Sequence, residues 1–161
     1  MLFDSPRRKA LRRFEKIFGT YGLYRSRLET VRRRESRVIE ERRAGELIWT
    51  KLAIGVDADA ELPAWFGRRG DVDTTSAPLV MALHQTTPDK ATGMDEPAGL
   101  VGDAELAYGR EAALRGAAVM VPAYPMFSNY VVDLDQVYGP WGYGSMSQKG
   151  AVNHSRALDE L

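Results

Sequence analysis

Pro78-Leu-Val-Met-Ala-Leu83 and Ala117-Ala-Val-Met-Val121 decide the fold. Each is an unbroken apolar run of strand length, and a run without alternation reads as a strand covered on both faces. Between them Asp103 can cap a helix running to about Arg115, with Gly116 just past its end. Strand, helix and strand within about 45 residues form a βαβ unit, so the two strands are expected to be parallel and joined by a right-handed crossover.

Upstream of this unit the pattern is that of antiparallel strands. Ser36–Glu41 and Glu46–Val56 read as extended, with Ala44-Gly45 as the turn between them. In the second, Ile48, Thr50, Leu52, Ile54 and Val56 share one face at period two, and their β-branched content favours a pleated surface. An acidic turn, Asp57–Glu61, leads to a short strand at Leu62–Phe66 and then to a polar loop, Gly67–Ala77.

Two long loops follow the buried runs, His84–Gly102 and Pro122–Gly144. A last helix is expected from Ser145 or Ser147, with Ala151, Ser155, Leu158 and Leu161 on one face. A helix leaving the second parallel strand should deliver the chain to a third, so the sequence reads as an interrupted doubly wound domain. At the other end Ser5-Pro6 is a helix start, Leu11, Phe14 and Phe18 form an apolar stripe flanked by Ala10 and Ile17, and Gly19 is placed to end it. The expected organisation is a basic helical extension over residues 1–35 and an α/β body over 36–161.

Composition bounds the class. The 161 residues are 44% hydrophobic and 27% charged with zero formal net charge, which excludes wholesale disorder. The absence of cysteine excludes a disulfide framework, a thiolate metal site and a cysteine nucleophile. No apolar run approaches the ~20 residues of a bilayer span, so no membrane partner is expected. The start lacks the apolar core of a secretory signal, and Asp4 and Glu15 fit a transit peptide poorly; a cytoplasmic location is the expectation. The neutral total hides an imbalance: residues 1–50 carry 14 Lys+Arg against 7 Asp+Glu, and residues 51–161 carry 8 against 15. The cluster Arg32-Arg33-Arg34, with Arg25, Arg27 and Arg37 and the nearby Tyr21 and Tyr24, tempts a nucleic-acid reading. No binding module frames it, so a solvated basic extension is the better account.

Only His84 and His154 are general bases of the usual kind. His84 stands at the carboxyl end of a parallel strand, the edge where open α/β sheets bind ligands. It fits equally a strand-end residue hydrogen-bonded to a neighbouring loop. His154, mid-helix beside Arg156, reads as a partly buried surface residue. Ser145 and Lys149 stand four apart, not the three of a Ser-x-x-Lys motif, and Ser145 or Ser147 is better read as a cap. Gly139-Pro-Trp-Gly-Tyr-Gly144 follows no strand in the dinucleotide manner. Asp133 with Asp135, and Asp71 with Asp73, lack calcium-loop spacing, so neither a metal nor a cofactor is expected.

Pro78-Leu-Val-Met-Ala-Leu-His-Gln-Thr-Thr87 resembles the third strand and following loop of α/β-hydrolase-fold esterases of the dienelactone hydrolase and acetyl xylan esterase type. The resemblance continues through Asp95-Glu96-Pro97-Ala98-Gly99 and the block from Arg115 to Pro125, and it ends in Asn153-His154-Ser155-Arg156-Ala157-Leu158-Asp159, together spanning roughly residues 36–161. It implies a mixed sheet, antiparallel strands followed by a parallel βαβ unit, and acyl transfer through a serine, an acid and a histidine in that chain order. It maps the oxyanion-hole loop to Gln85 and Thr86, with His84 and Tyr124 beside it. Two positions depart from that family's pattern: Ala123 replaces a frequent aspartate, and Met94 a common lysine.

The nucleophile of that family sits in Gly-x-Ser-x-Gly, and no such run occurs in these residues. One oxyanion donor without a nucleophile does not make an esterase, so the chain alone is expected to be inactive and none of the triad is present. A small ester would be its substrate only once the serine-bearing half is supplied. The alternative from another class is a stand-alone interaction module that pairs through an open sheet edge with a partner chain.

Overall fold

The computed structural model describes residues 35–57, 60–86, 92–127 and 130–160, with 13, 26 and 29–31. The predicted basic helix after Ser5-Pro6, and most of the segment joining it to the body, lie outside the described residues.

Five strands make one mixed sheet: β1 (Ser36–Ala44), β2 (Leu47–Asp57), β3 (Ala60–Arg69), β4 (Leu79–Met81) and β5 (Ala118–Pro122), in the order β1-β2-β3-β5-β4. The first three form an antiparallel meander. Gly45, at φ 62°, supplies the left-handed turn between β1 and β2 that a side chain would resist. β3 pairs antiparallel with β5, and β4 pairs parallel with β5 in the register Leu79↔Ala118, Val80↔Val119 and Met81↔Met120. The parallel pair expected from the two apolar runs is therefore present.

Helices cover both faces. α1 (Tyr108–Leu114) crosses from β4 to β5, α2 (Leu134–Tyr138) lies in the loop after β5, and α3 (Met146–Leu158) packs against β2 and β5. Residues paired across the sheet share a face, so Trp49, Trp65, Gly67, Val119 and Val121 look one way, while Leu52, Ala64, Phe66 and Met120 look the other. The second set includes the predicted period-two face of β2, with Ile54 and Val56 fully buried. The first set was not anticipated: Leu47 and Trp49, at the alternate positions, are also fully buried. The indole of Trp49 lies so close across Gly67 that a Cβ there would sit 2.1 Å from its Cζ3.

Several boundaries differ from expectation. β3 runs ten residues instead of the five of Leu62–Phe66, because its pairing with β2 continues outward to Arg69. The predicted helix from Asp103 to Arg115 is split. Asp103 caps a 3₁₀ turn, Ala104–Leu106, and α1 begins only after Ala107, whose ψ of 42° leaves the helical region. Gly116, at φ 92°, ends it as expected. The loop Pro122–Gly144 contains the unpredicted α2, capped by Asp133.

The run Pro78–Leu83 is not covered on both faces. β4 is a three-residue edge strand with Leu79 43% exposed, and Leu83 just beyond it is 49% exposed. α3 is capped by Ser145, as read from the sequence, but it turns another face inward. Lys149, Val152, Asn153, Arg156 and Ala157 are buried, whereas Ala151 and Ser155 are half-buried and Leu158 is exposed. Arg156 donates from Nε to the carbonyl of fully buried Val31 at 3.1 Å, which ties the end of the N-terminal segment to this helix.

Candidate functional site

The carboxyl ends of β4 and β5 lie side by side and release two loops from one edge of the parallel pair, the place where an open α/β sheet forms a ligand crevice. The loop after β4 is tethered residue by residue. The Ala82 N–H donates to Met120 O at 2.9 Å, continuing the parallel ladder one step past β4. The Tyr108 hydroxyl, from the first turn of α1, donates to the carbonyl of Leu83.

His84 links the two loops. Its Nε2 accepts from the backbone N–H of Tyr124 at 2.8 Å, and its Nδ1 lies 3.0 Å from the carbonyl of Gln85. A backbone N–H can only donate, so Nε2 carries the lone pair and the ring proton sits on Nδ1, facing Gln85 O. Both ring nitrogens are therefore engaged within the protein. These two bonds tie the end of β4 to the loop after β5.

Gln85 is held from its other end as well. Its Nε2 donates to Glu96 Oε2 at 3.4 Å, and Glu96, only 6% exposed, accepts from the Asp103 N–H through Oε1 at 3.3 Å. Gly102 makes room for this carboxylate, since a Cβ there would lie 2.5 Å from Glu96 Oε1. The neighbouring Asp95 accepts from Trp65 Nε1 at 2.5 Å, fixing the 3₁₀ turn Gly93–Asp95 to the sheet. Thr86 is exposed and makes no hydrogen bond among the described residues.

On the β5 side, Tyr124 fills the gap between the loop and α3. Its ring lies over Gly150, where a Cβ would stand 2.7 Å from Tyr124 Cε2, and it meets the His154 ring edge-on with centroids 5.5 Å apart. The next turn holds Met126 at φ 71°, a left-handed conformation that costs a side chain about 1–2 kcal/mol. Hydrogen bonds from Met126 N–H to Tyr130 O and from Phe127 N–H to Tyr124 O secure it.

His154 is not the surface residue expected. It is buried, its Nε2 has no partner among the described residues, and its other nitrogen donates to the carbonyl of Ala123. Burial is the largest influence and pushes the imidazole down to about 4, with a smaller contribution from nearby His84. His84, Tyr124 and His154 thus come together, although 70 residues separate the two histidines in sequence.

A second buried polar cluster lies beneath α3. Lys149 Nζ, with no exposure, sits 2.5 Å from Asp57 Oδ2 at the end of β2 and 3.3 Å from Asn153 Oδ1. The rings of Trp141 and Tyr143 lie 4.8 and 5.0 Å from the ammonium, and the Tyr143 hydroxyl donates to Asp57. Burial pulls the Lys149 ammonium below the ordinary lysine range, against the opposing pull of Asp57. A Ser145–Lys149 dyad does not form: Ser145 accepts from Gln148 N–H as a cap, and Lys149 turns inward. Nothing in the sequence marks the Asp57–Lys149 pair, whose members stand 92 apart. Of the carboxylates weighed as ligands, Asp71 pairs with Arg69 at 2.6 Å, Asp73 accepts from the Thr75 N–H, and Asp133 accepts from the Asp135 N–H. Among the described residues no group of three His, Asp or Glu side chains could hold a metal ion, and no helix is long and apolar enough to cross a membrane.

Two solved structures share this fold. Over 94% of the chain it superimposes with a TM-score of 0.61 and 14% identity on a Bacteroides fragilis protein assigned as an acetyl xylan esterase, covering 43% of that protein. Over 85% it superimposes with a TM-score of 0.51 and 16% identity on acetyl xylan esterase 1 of a Thermoanaerobacterium species, covering 40% of it. The chain thus spans well under half the length of either. No protein-family model and no curated sequence relative matches it.

Proposed function

We propose that these 161 residues form the N-terminal portion of a serine carboxylic ester hydrolase and supply its oxyanion-hole loop, Gln85 and Thr86. The observation that carries this reading is the superposition of nearly the whole chain on 43% of an esterase-like fold, in a mixed sheet whose parallel pair ends at that loop. The chemistry needs such a loop because a tetrahedral ester intermediate gathers negative charge on oxygen. Fixed N–H donors stabilise that charge, and losing one costs about 3–4 kcal/mol. The nucleophile, acid and catalytic histidine belong to the portion that these residues do not contain.

The chain alone is accordingly expected to hydrolyse an activated acetate ester no faster than a buffer blank. Turnover well above the blank, abolished by a serine-directed phosphonate, would overturn that expectation. Reading the coding DNA for about 200 codons past Leu161, the length the neighbour's coverage leaves over, tests the reading itself. A strand followed by Gly-x-Ser-x-Gly, an acid and a histidine supports it; their absence in all three frames defeats it.

A second reading rests on one feature. β4 pairs with β5 on one side only, and Leu79 stands exposed at the rim of a cleft of about 400 Å³ over one face of the sheet, lined also by Leu52, Phe66, Ala118 and Leu158. A strand from a partner chain bearing the serine half would pair with the open edge of β4, and a segment following it could cover the cleft. A solitary monomer in sizing experiments, with no partner retained in a pull-down from its source cells, would count against this version.

A further inference from the structure

We propose that Lys149 acts as an internal ligand: its side chain fills a primary-ammonium site built by separate stretches of the chain, and by filling it locks the loop after β5 onto the body. Asp57, at the end of β2, supplies the counter-charge at 2.5 Å, and Asn153, one turn along α3, supplies a carbonyl oxygen at 3.3 Å. Trp141 and Tyr143, near the end of the loop, bring their rings to 4.8 and 5.0 Å. An ammonium has only donors to place. Oxygens take two of them, and the ring faces attract the rest of the charge, as aromatic cages do for alkylammonium ligands. Water is shut out, with the Lys149 and Asp57 side chains 0% and 4% exposed.

The lock arises because the groups that receive the ammonium also hold the loop. The Tyr143 hydroxyl lies 3.1 Å from both Asp57 oxygens, and Asn153 Nδ2 donates to the Tyr130 hydroxyl at 3.3 Å. Tyr130 and Tyr143 stand at the two ends of the stretch 130–144, so each end meets a residue that binds Lys149. Between them Val132 and Val137 are buried, and their apolar contact is non-directional. The middle of the loop is thus held by burial, and its ends are placed by the charge. Without the ammonium, Asp57 is a buried carboxylate with no counter-charge. Moving Trp141 and Tyr143 aside to admit water relieves it. The crevice wall is coupled to the same site, since Tyr124 packs against Gly150, the residue after Lys149.

Chemical rescue tests this on the full ¹⁵N-labelled chain. Lys149→Ala removes the atoms of propylammonium and leaves the walls of the site in place. The N–H groups of Met126, Trp141 and Tyr143 bond within the loop, so their hydrogen exchange reports its closure. In Lys149→Ala their protection should fall about tenfold or more relative to β2 and β3, the scale of one desolvated cation–π contact. Propylammonium chloride should restore it saturably. At equal concentration 1-propanol, which lacks the charge, and sodium chloride, which lacks the N–H donors, should not. Absence of rescue, equal rescue by either control, or an equal loss of protection in β2 and β3 overturns the proposal. The wild-type chain gives a second readout: the Lys149 Nζ protons should exchange slowly and resonate upfield under the two rings. Exchange as fast as that of free lysine overturns the lock even if the variant fails to fold. The DNA reading tests the esterase assignment separately, so either conclusion can fall while the other stands.

Discussion

Replacing His154 by asparagine should flatten the dependence of stability on pH between 7 and 5. The folded-state imidazole is held down at about 4 by burial, against an ordinary value of about 6.5 in the unfolded chain. The unfolded state therefore binds more protons across that window, and stability falls as pH falls. A shift of about 2.5 units corresponds to about 3.4 kcal/mol in full, at about 1.36 kcal/mol per unit. Between pH 7 and pH 5 the loss works out at about 2 kcal/mol, and the remainder follows down to about pH 4. Urea unfolding of both proteins at half-unit intervals of pH measures it. Carboxylates titrate in both, so the quantity to read is the difference between the two curves. Asparagine retains a donor for the Ala123 carbonyl, which limits the constant offset. Parallel curves from pH 7 to 5 would refute the claim that His154 is buried and neutral.

Three further outcomes follow from the packing. Lys149→Met leaves the Asp57 carboxylate buried without its cation and should cost about 3–5 kcal/mol in urea unfolding. Adding Asp57→Asn should return much of that, because the uncompensated charge goes and an acceptor for Tyr143 remains. Ser145→Ala removes the side chain that caps Gln148 N–H at 3.1 Å, with an expected loss of about 1 kcal/mol by thermal melting. Gly67→Ala drives a methyl into the buried Trp49 indole and should cost about 1–3 kcal/mol, with a change in tryptophan fluorescence that reports the displaced ring.

What could be read in advance was the part written in short-range pattern. The two apolar runs gave the parallel pair, and Ser145 and Gly116 gave a helix start and a helix end, because strand burial and capping are decided within a few residues. The buried face of α3 was misread because its inward residues include Lys149, Asn153 and Arg156, each buried against a specific distant partner: Asp57, Tyr130 and Val31. Polarity marks such positions as solvent-facing when the partner is unseen. The edge position of β4 was hidden for the opposite reason. An apolar run looks the same whether this chain or another surface covers it. At the site, His84 could be placed at a strand end, but its role depended on the Tyr124 N–H arriving from 40 residues away.

The two margins of the sheet are unlike. Along β1, Arg37 pairs with Glu61 and Arg42 with Glu40, and the register slips between Val38 and Glu40, so this border presents charge and irregular spacing to any approaching strand. The border at β4 presents Leu79 instead. Val38 and Ile39 are also exposed on β1, so charge opposes strand addition there without abolishing its apolar surface. Among the described residues the β4 border is the less defended of the two, and a strand added to this sheet meets less opposition there.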